Sequence, residues 1–593
     1  MKLAVLALDY DGTITRNDRP DPSVLSAVAD ARRRNVTVIL VTGRILHDLR
    51  RVAGDLHFVD CVVAENGALI HFPGTGHTTI LAPLIPQAFV ARLEELGIPF
   101  RAGQCLVDGD ASSAHQLLNV IRELELPIVL SFNRSRVMAL AQGVSKATGL
   151  GAALEIIRAS PRNTVAIGDA ENDHELLRFS EVGAAVEWGS RSLQAAADLV
   201  ITGNGPTAVG DFIRRVAASG RLPAPVRARR RLLIGRTEDG REFSLAVRGR
   251  NVLIVGETNS GKSWLAGLLC ERLILHGYSL CVIDPEGDYR TLDALPGVTV
   301  LGGEEPPPSP RALLRALRYP DRSVVLDLSS LEHQAKFEYI RSVLPALNVI
   351  RRRTGTPHRI VVDEGHYFLC DAIDRGLLDL DFNGYTVVTY WPSQLPAQLV
   401  AATEVLLVTR ESNLGEIEAL RKHCEACRHL SPSAWETLPN LRLDQAVALP
   451  VTDEAGPELQ LFTIGERLTP HVRHRQKYVD VPVPDSRAFV FGSGQSTVTA
   501  RAHTLREFVD VLDKLDVTRE GGYLRRGDFS RWVDDVFGDH ALAREIEGHE
   551  RRYAREEHSD ALGRIADAIR TRYDLTDAHD VLAPTADTER CTT

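Results

Sequence analysis

The chain has 593 residues and no apolar run approaching the roughly 18 residues that a membrane-crossing helix requires, so a bilayer partner is not expected. Its first apolar stretch follows Lys2 and is interrupted by Asp9, too short for a secretory signal. Cysteine is sparse: eight residues spread over the whole length make no disulfide framework and fit a reducing cytoplasm. An excess of positive charge is also missing. With 69 Lys and Arg against 79 Asp and Glu, the net charge is -10, which excludes a chain that coats nucleic acid over its whole surface and restricts any DNA contact to local basic patches. Internal repeats and long low-complexity tracts are absent. What is present is ordinary globular material, 44% apolar and 25% charged. At about 150 residues per domain, the length suggests about three or four domains.

Residues 1–216 alternate apolar strand-like runs with amphipathic helices, the pattern of a parallel sheet covered on both faces. The stretch 217–231, AASGRLPAPVRARRR, loses that periodicity and reads as a linker. Residues 232–247 hold two short β-like runs around Asp239-Gly240 and predict a hairpin. A second α/β unit is expected over 232–465, a Pro-marked joint at 480–486, and a small mainly helical unit over 486–575, where apolar residues recur at three-and-four spacing. Residues 576–593 read as a loose tail.

In the first unit, LAVLAL (3–8) has no polar alternation, as a strand buried on both faces requires, and it ends in Asp9-Tyr10-Asp11-Gly12-Thr13. Asp21-Pro22 then caps the next helix. Three more strands end the same way: TVILV delivers Thr42-Gly43-Arg44, CVVA delivers Glu65-Asn66-Gly67, and TVAI delivers Gly168-Asp169-Ala170-Glu171-Asn172-Asp173. Between the last two, Gly143-Val144-Ser145-Lys146 opens a helix. Ligands of open α/β sheets lie beyond the carboxyl ends of the strands, where these side chains gather. Four acids on one rim repel one another unless a cation neutralises them, and hard carboxylate oxygens suit Mg2+. An aspartate can attack phosphorus and divide one difficult step into two. A second acid can protonate the leaving oxygen and later deprotonate water, while a hydroxyl and a lysine hold the transferring oxygens.

These elements resemble the haloacid dehalogenase-like hydrolases, in particular the Cof-type (IIB) phosphatases of sugar phosphates and phosphoglycolate. The resemblance implies a Rossmann-like core with a small α/β cap over about 71–142 and a small phosphorylated metabolite as substrate. By it, Asp9 is the nucleophile and Asp11 the general acid/base. Thr42, Gly43, Lys146 and Asn172 hold phosphate. Asp9, the main-chain carbonyl of Asp11, and Asp169 ligate Mg2+, with Asp173 in support.

In the second unit, the strand-like NVLIV leads into Gly256-Glu257-Thr258-Asn259-Ser260-Gly261-Lys262-Ser263 and then a helical run, the context of a P-loop. Its backbone N–H groups would cradle the phosphates of ATP at the helix N-terminus. Lys262 would reach the β- and γ-phosphates and Ser263 would help hold Mg2+. HRIVVDEGH (358–366) supplies the matching strand end, with Asp363 supporting Mg2+ and Glu364 polarising the attacking water. Together with CVIDPEGDY (281–289), this unit resembles HerA-type ATPases, a branch of RecA-like hexameric motors that move or process double-stranded DNA. The resemblance implies a homo-oligomer, with a hexameric ring as its fullest form. Tyr390 stands where that family usually carries a Gln, Asn259 replaces a usual Gly, and the long β-barrel ahead of the family's ATPase core is reduced to the hairpin.

Weaker signals complete the reading. Arg410 is taken as a surface arginine, with service to a neighbouring subunit's nucleotide as the alternative. The cysteines of His423-Cys424-Glu425-Ala426-Cys427-Arg428-His429 are taken as incidental, because a single C-x-x-C is half a zinc site. Arg351–Arg353, the arginines of 227–231 and RHRQK (473–477) are candidate DNA or partner surfaces, and each taken alone is read first as a solvated charged face. The helical unit at 486–575 resembles a small uncharacterised domain appended to other bacterial proteins and carries no catalytic constellation. The chain is therefore expected to be a cytoplasmic Mg2+-dependent phosphatase fused to an ATP-binding module. The alternative is an ATP-driven DNA-processing or defence assembly with the phosphatase as effector.

Overall fold

A computed structural model describes residues 1–224, 230–246, 249–257, 260–373, 375–423, 432–449, 459–470, 483, 485–492, 500–515, 517–537, 539–556, 560–573 and 575. The fold is mixed α/β with a helical C-terminal part. Its first sheet has eight strands, in the spatial order Leu199–Ile201, Val182–Val186, Thr164–Gly168, Val5–Asp9, Thr37–Val41, Cys61–Ala64, Leu69–Phe72 and His77–Ile80. The first six run parallel and the last two antiparallel. All five residues of Val5–Asp9 are buried, which accounts for their unbroken apolar run. Because Val5–Asp9 pairs with Thr164–Gly168 on one side and Thr37–Val41 on the other, Asp9, Thr42 and Asp169 emerge from three adjacent strand ends. Asp21 caps the helix Pro22–Arg33, accepting the Ser23 amide.

A four-stranded antiparallel sheet follows, in the order Ile128–Asn133, Arg136–Ala141, Leu106–Asp110 and Phe100–Ala102. The helices Gln87–Glu95 and Ala114–Glu123 contribute to a separate apolar core around Phe89, Leu93, Leu117 and Val137. The insert thus has an apolar core of its own.

The second large sheet has eleven strands. Val252–Val255 lies inside it, parallel to both Val405–Val408 and Tyr385–Thr389, and Arg359–Val362 and Leu280–Asp284 continue the parallel run. The predicted hairpin forms from Leu232–Arg236 and Glu242–Leu245 and joins the sheet edge, Gly235 opposite Ile464. The C-terminal part packs Leu505–Leu512, Asp528–Trp532, His540–Glu556 and Ala561–Tyr573 around Phe489, Phe508 and Phe529. A short strand pair, Phe489–Phe491 with Ala500–Ala502, precedes these helices, too brief for alternation to announce it.

Buried polar groups join the two large sheets. Tyr278 Oη donates to Glu181 Oε1 at 2.9 Å, Arg162 Nη1 donates to Glu181 Oε2 at 3.2 Å, and His358 Nε2 lies 3.0 Å from Asn163 Oδ1. The reading of Arg351–Arg353 as a solvated face is corrected for Arg351 alone, since Arg352 and Arg353 are exposed. Arg351 is 1% exposed, donates to the carbonyls of Pro357 and Asn383, and lies against Tyr385; Arg352 pairs with Asp379. Carbonyls and an aromatic face compensate the buried guanidinium, an environment that the run of three arginines does not reveal. The segments 227–229, 424–429 and 473–477 lie outside the described residues, while Arg230 and Arg231 depart from the solvated reading, half-buried with Arg230 paired to Glu181 and Arg231 donating to the Ser244 carbonyl.

Candidate functional site

Asp9, Asp169 and Asp173 are buried, and each offers a carboxylate oxygen within 4.8 Å of the others. Lys146, 1% exposed at the first turn of Lys146–Ile157, bridges two of them: its Nζ donates to Asp9 Oδ1 at 2.6 Å and to Asp173 Oδ1 at 2.7 Å. Ser145 aims this helix by accepting the Thr148 amide in a capping box. Asp9 Oδ2 accepts from Thr13 Oγ1 at 3.0 Å, and Asp173 Oδ2 accepts the amides of Asp169 and Ala170 at 3.0 and 3.1 Å. Burial and the neighbouring Asp173 hold the Asp9 carboxyl well above the usual carboxylate range, with Lys146 opposing. Asp169 is pushed up to about 6 by burial and then by Asp173. Burial pulls Lys146 down, but Asp173 and Asp9 outweigh it and raise the ammonium above its ordinary value. A cluster that strains to shed negative charge is the electrostatic condition for holding a divalent cation.

Asp11 points to a different neighbour. Its carboxylate is held bidentately by Arg44, Nη2 to Oδ1 at 2.5 Å and Nε to Oδ2 at 2.8 Å. Thr42 is fully buried and its Oγ1 accepts the Arg44 amide at 3.1 Å, while Gly43 packs beside Met138 of the insert. Asn172 Nδ2 donates to Asn66 Oδ1 at 3.3 Å. Two glycines are sterically required. A Cβ on Gly12, at φ +72°, would lie 2.2 Å from Asp169 Oδ2, and one on Gly67, at φ +107°, would lie 2.0 Å from the Ser145 carbonyl oxygen. Above the carboxylates, a cleft of about 380 Å³ separates core from insert and is lined by Asp9, Asp11, Arg44, Arg134 and Asp169. Sequence reasoning assigned no role to Arg44 or Arg134. Arg134, from the turn between two insert strands, pairs with Asp169, and its amide donates to Glu171 Oε2 at 3.2 Å.

The second site lies at the end of Val252–Val255. Lys262 begins the helix Lys262–Leu275, and its Nζ donates to the Glu257 carbonyl at 2.8 Å and lies 5.7 Å from the Tyr390 ring centre. Gly256 precedes Glu257 beside Thr409, Gly261 caps the helix in a left-handed conformation, and Ser263 follows Lys262 half-buried. Ser260 Oγ meets Thr409 Oγ1 at 2.6 Å. Thr258 and Asn259 lie outside the described residues. Asp363 and Glu364 follow Arg359–Val362, both buried; Asp363 Oδ1 accepts the Glu364 amide at 2.9 Å, and Glu364 sits at φ +50°. The surface reading of Arg410 is corrected, because its Nε donates to Glu257 Oε1 of the same chain at 2.6 Å and only 23% of its side chain is exposed. Asp284, part of the 281–289 signal, shapes its own loop by accepting the amides of Gly287, Asp288 and Tyr289.

An N-terminal α/β core with a clustered acidic rim and a covering insert defines a class of phosphate-ester hydrolases. Residues 6–97 and 98–213 match the haloacid dehalogenase-like hydrolase family. A phosphoglycolate phosphatase of Natronomonas pharaonis is 31% identical over 217 residues, covering 33% of this chain and 91% of the relative. One from Aeropyrum pernix is 30% identical over 239 residues, covering 37% and 96%. The chain belongs to the haloacid dehalogenase-like hydrolases through this N-terminal part. Residues 238–350 match the central domain of the helicase HerA. A haloacid dehalogenase-like hydrolase from Bacteroides thetaiotaomicron superposes at TM-score 0.32 with 19% identity, covering 36% of this chain and all of that one. Among the described residues, no helix is long and apolar enough to cross a membrane.

Proposed function

We propose that the chain is a Mg2+-dependent phosphatase of a small phosphorylated metabolite, of the sugar phosphate or phosphoglycolate class, joined to an ATP-binding HerA-type module. The observation that carries this reading is the convergence of Asp9, Asp169 and Asp173 within 4.8 Å, with Lys146 bridging Asp9 and Asp173. The donor set suits magnesium, being hard, anionic and clustered. Asp9, Asp169, the Asp11 carbonyl and Asp173 would hold it, and the bound ion would neutralise charge on the phosphoryl oxygens.

In the proposed reaction, a carboxylate oxygen of Asp9 attacks phosphorus and the ester oxygen departs with a proton from Asp11, leaving an aspartyl-phosphate. Asp11 then takes a proton from water, whose oxygen attacks phosphorus, freeing phosphate and restoring Asp9. Arg44 holds the ionised Asp11, the form that takes the proton from water, by a two-point contact, and Asp11 must leave that contact protonated to act as the acid. Lys146 serves twice. It helps keep buried Asp9 ionised, as a nucleophile must be, and with Thr42, Gly43 and Asn172 it offsets charge on the transferring group.

In the second site, the loop around Lys262 and Ser263 would bind the phosphates of ATP, Asp363 would support its magnesium, and Glu364 would polarise water. The left-handed backbone of Glu364 costs about 1–2 kcal/mol for a residue with a Cβ, a cost consistent with a functional position. Domain divisions at 216, 232, 465 and 486, a cytoplasmic location and a ring-shaped homo-oligomer belong to the same proposal. The test is phosphate release from sugar phosphates, 2-phosphoglycolate and nucleotides by the intact chain, Asp9→Asn and Lys262→Ala, with ATP turnover measured with and without duplex DNA. Metabolite turnover lost only in Asp9→Asn supports the phosphatase. DNA-stimulated ATP turnover lost in Lys262→Ala, with no monoester hydrolysed, would transfer the function to the motor.

A further inference from the structure

Glu257, the second residue of the phosphate loop, is 2% exposed, and its carboxylate is held by side chains from two distant parts of the chain. Arg410 Nε lies 2.6 Å from Oε1 and Ser412 Oγ donates to Oε2 at 2.6 Å, both just beyond the strand Val405–Val408. Arg487 Nη2 lies 2.5 Å from the same Oε1, but it belongs to the segment that opens the C-terminal helical part. The Glu257 main chain is equally engaged. Its amide donates to the Arg410 carbonyl at 2.9 Å, and its own carbonyl accepts Lys262 Nζ at 2.8 Å.

The other end of Arg487 is anchored in the C-terminal core. Its carbonyl accepts Trp532 Nε1 at 2.8 Å, and the Trp532 ring packs 4.6 Å from Phe508 and 5.0 Å from Phe537, centre to centre. A continuous chain of contacts therefore runs from that aromatic core through Trp532, Arg487 and Glu257 to the lysine of the loop. Electrostatics gives the chain a purpose. A buried carboxylate in a phosphate loop repels an incoming triphosphate unless guanidinium groups neutralise it, and two do so here. Without Arg487, Arg410 alone would balance Glu257, and the loop segment that positions Lys262 would lose one of its tethers.

We propose that Arg487 is a positioning residue of the nucleotide site, through which the C-terminal helical part sets the affinity of the phosphate loop. The inference rests on reading residues 256–263 as a triphosphate loop. By reciprocity, whatever factor Arg487 adds to ATP binding is returned as tighter seating of the C-terminal part when ATP is bound. That part thus acts as a nucleotide-responsive element.

The test uses the full chain and a fluorescent ATP analogue with Mg2+, comparing intact protein, Arg487→Ala, Arg487→Lys, Trp532→Phe and Lys262→Ala. Hydrolysis of a phosphate monoester by the N-terminal site reports that this part of each variant is folded, and protection of His540–Glu556 in the absence of ATP reports the same for the C-terminal helices. The expected result is a Kd raised about tenfold in Arg487→Ala, partly restored in Arg487→Lys, with a smaller rise in Trp532→Phe, which keeps an aromatic ring in the core but loses the N–H donor and part of the indole's volume. Hydrogen exchange supplies a readout that a merely structural role would not move: ATP should slow exchange in Asp528–Trp532 in the intact chain and not in Arg487→Ala. An Arg487→Ala Kd within about twofold of intact protein, with the ATP-dependent slowing retained, would overturn the inference and leave the loop reading standing. Failure of the intact chain to bind the analogue better than Lys262→Ala would overturn the loop reading and this inference with it.

Discussion

Replacing Lys146 with glutamine removes a cation that two buried carboxylates share at 2.6 and 2.7 Å. Breaking a buried ion pair by deleting one partner costs about 3–5 kcal/mol. Part of that cost is avoided because Asp9, already pushed upward by burial and Asp173, can take a proton instead, at about 1.4 kcal/mol per pKa unit. A net destabilisation of about 2–3 kcal/mol without metal is expected. Magnesium binding should move the opposite way. Like charges 4 Å apart at an effective dielectric of 20 repel by about 4 kcal/mol, so relief of only a fraction of this would tighten Mg2+ about tenfold. Turnover should nevertheless fall about 100- to 1,000-fold, because the charge of the transferring group is no longer offset. Calorimetric titration with Mg2+ and a monoester assay on the same preparation read both effects. Unchanged or weaker Mg2+ binding with full turnover would refute the claim that Lys146 and the metal share these oxygens.

Three further outcomes follow. Gly12→Ala places a Cβ 2.2 Å from Asp169 Oδ2 at a left-handed φ, so it should cost about 1–2 kcal/mol or more and weaken Mg2+ binding and turnover together, measured by urea unfolding and the monoester assay. Lys262→Ala should abolish binding of an ATP analogue while monoester hydrolysis continues, and a parallel loss of hydrolysis would contradict the independence of the two chemistries. His358, buried between the sheets, has its pKa pushed down to about 3 by burial and then by Arg162 and Arg351. The unfolded chain, titrating near 6.5, therefore binds the proton first. Stability is fully present above about pH 6.5 and falls as the pH drops toward 3, by about 2 kcal/mol at pH 5. Urea midpoints at pH 7 and 5 should show this loss in the intact chain and a smaller one in His358→Gln.

Much of the fold was legible because strands buried on both faces are written as unbroken apolar runs. VLALD, TVILV and TVAIG each stop where a polar side chain meets the sheet edge, and the structure sets all three side by side. The carboxylate cluster was legible for the same reason, since adjacent strand ends must converge. Partners contributed across long sequence separations were not. Nothing near Asp169 announces Arg134 from the insert turn, and nothing near Glu257 announces Arg487. Such pairs leave no periodic trace, since only the folded chain brings them together. Arg351 misled for a related reason: a guanidinium satisfied by carbonyls reads in sequence like one satisfied by water.

The central claim is that Asp9 receives a phosphoryl group and passes it to water. Rapid acid quenching of intact protein during turnover with Mg2+ and a hydrolysed monoester, followed by peptide mapping, tests it most directly. The account predicts a hydroxylamine-labile phosphoryl group on the peptide bearing Asp9, absent from Asp9→Asn. Steady turnover with that peptide unmodified, or with the label on another residue, would contradict it.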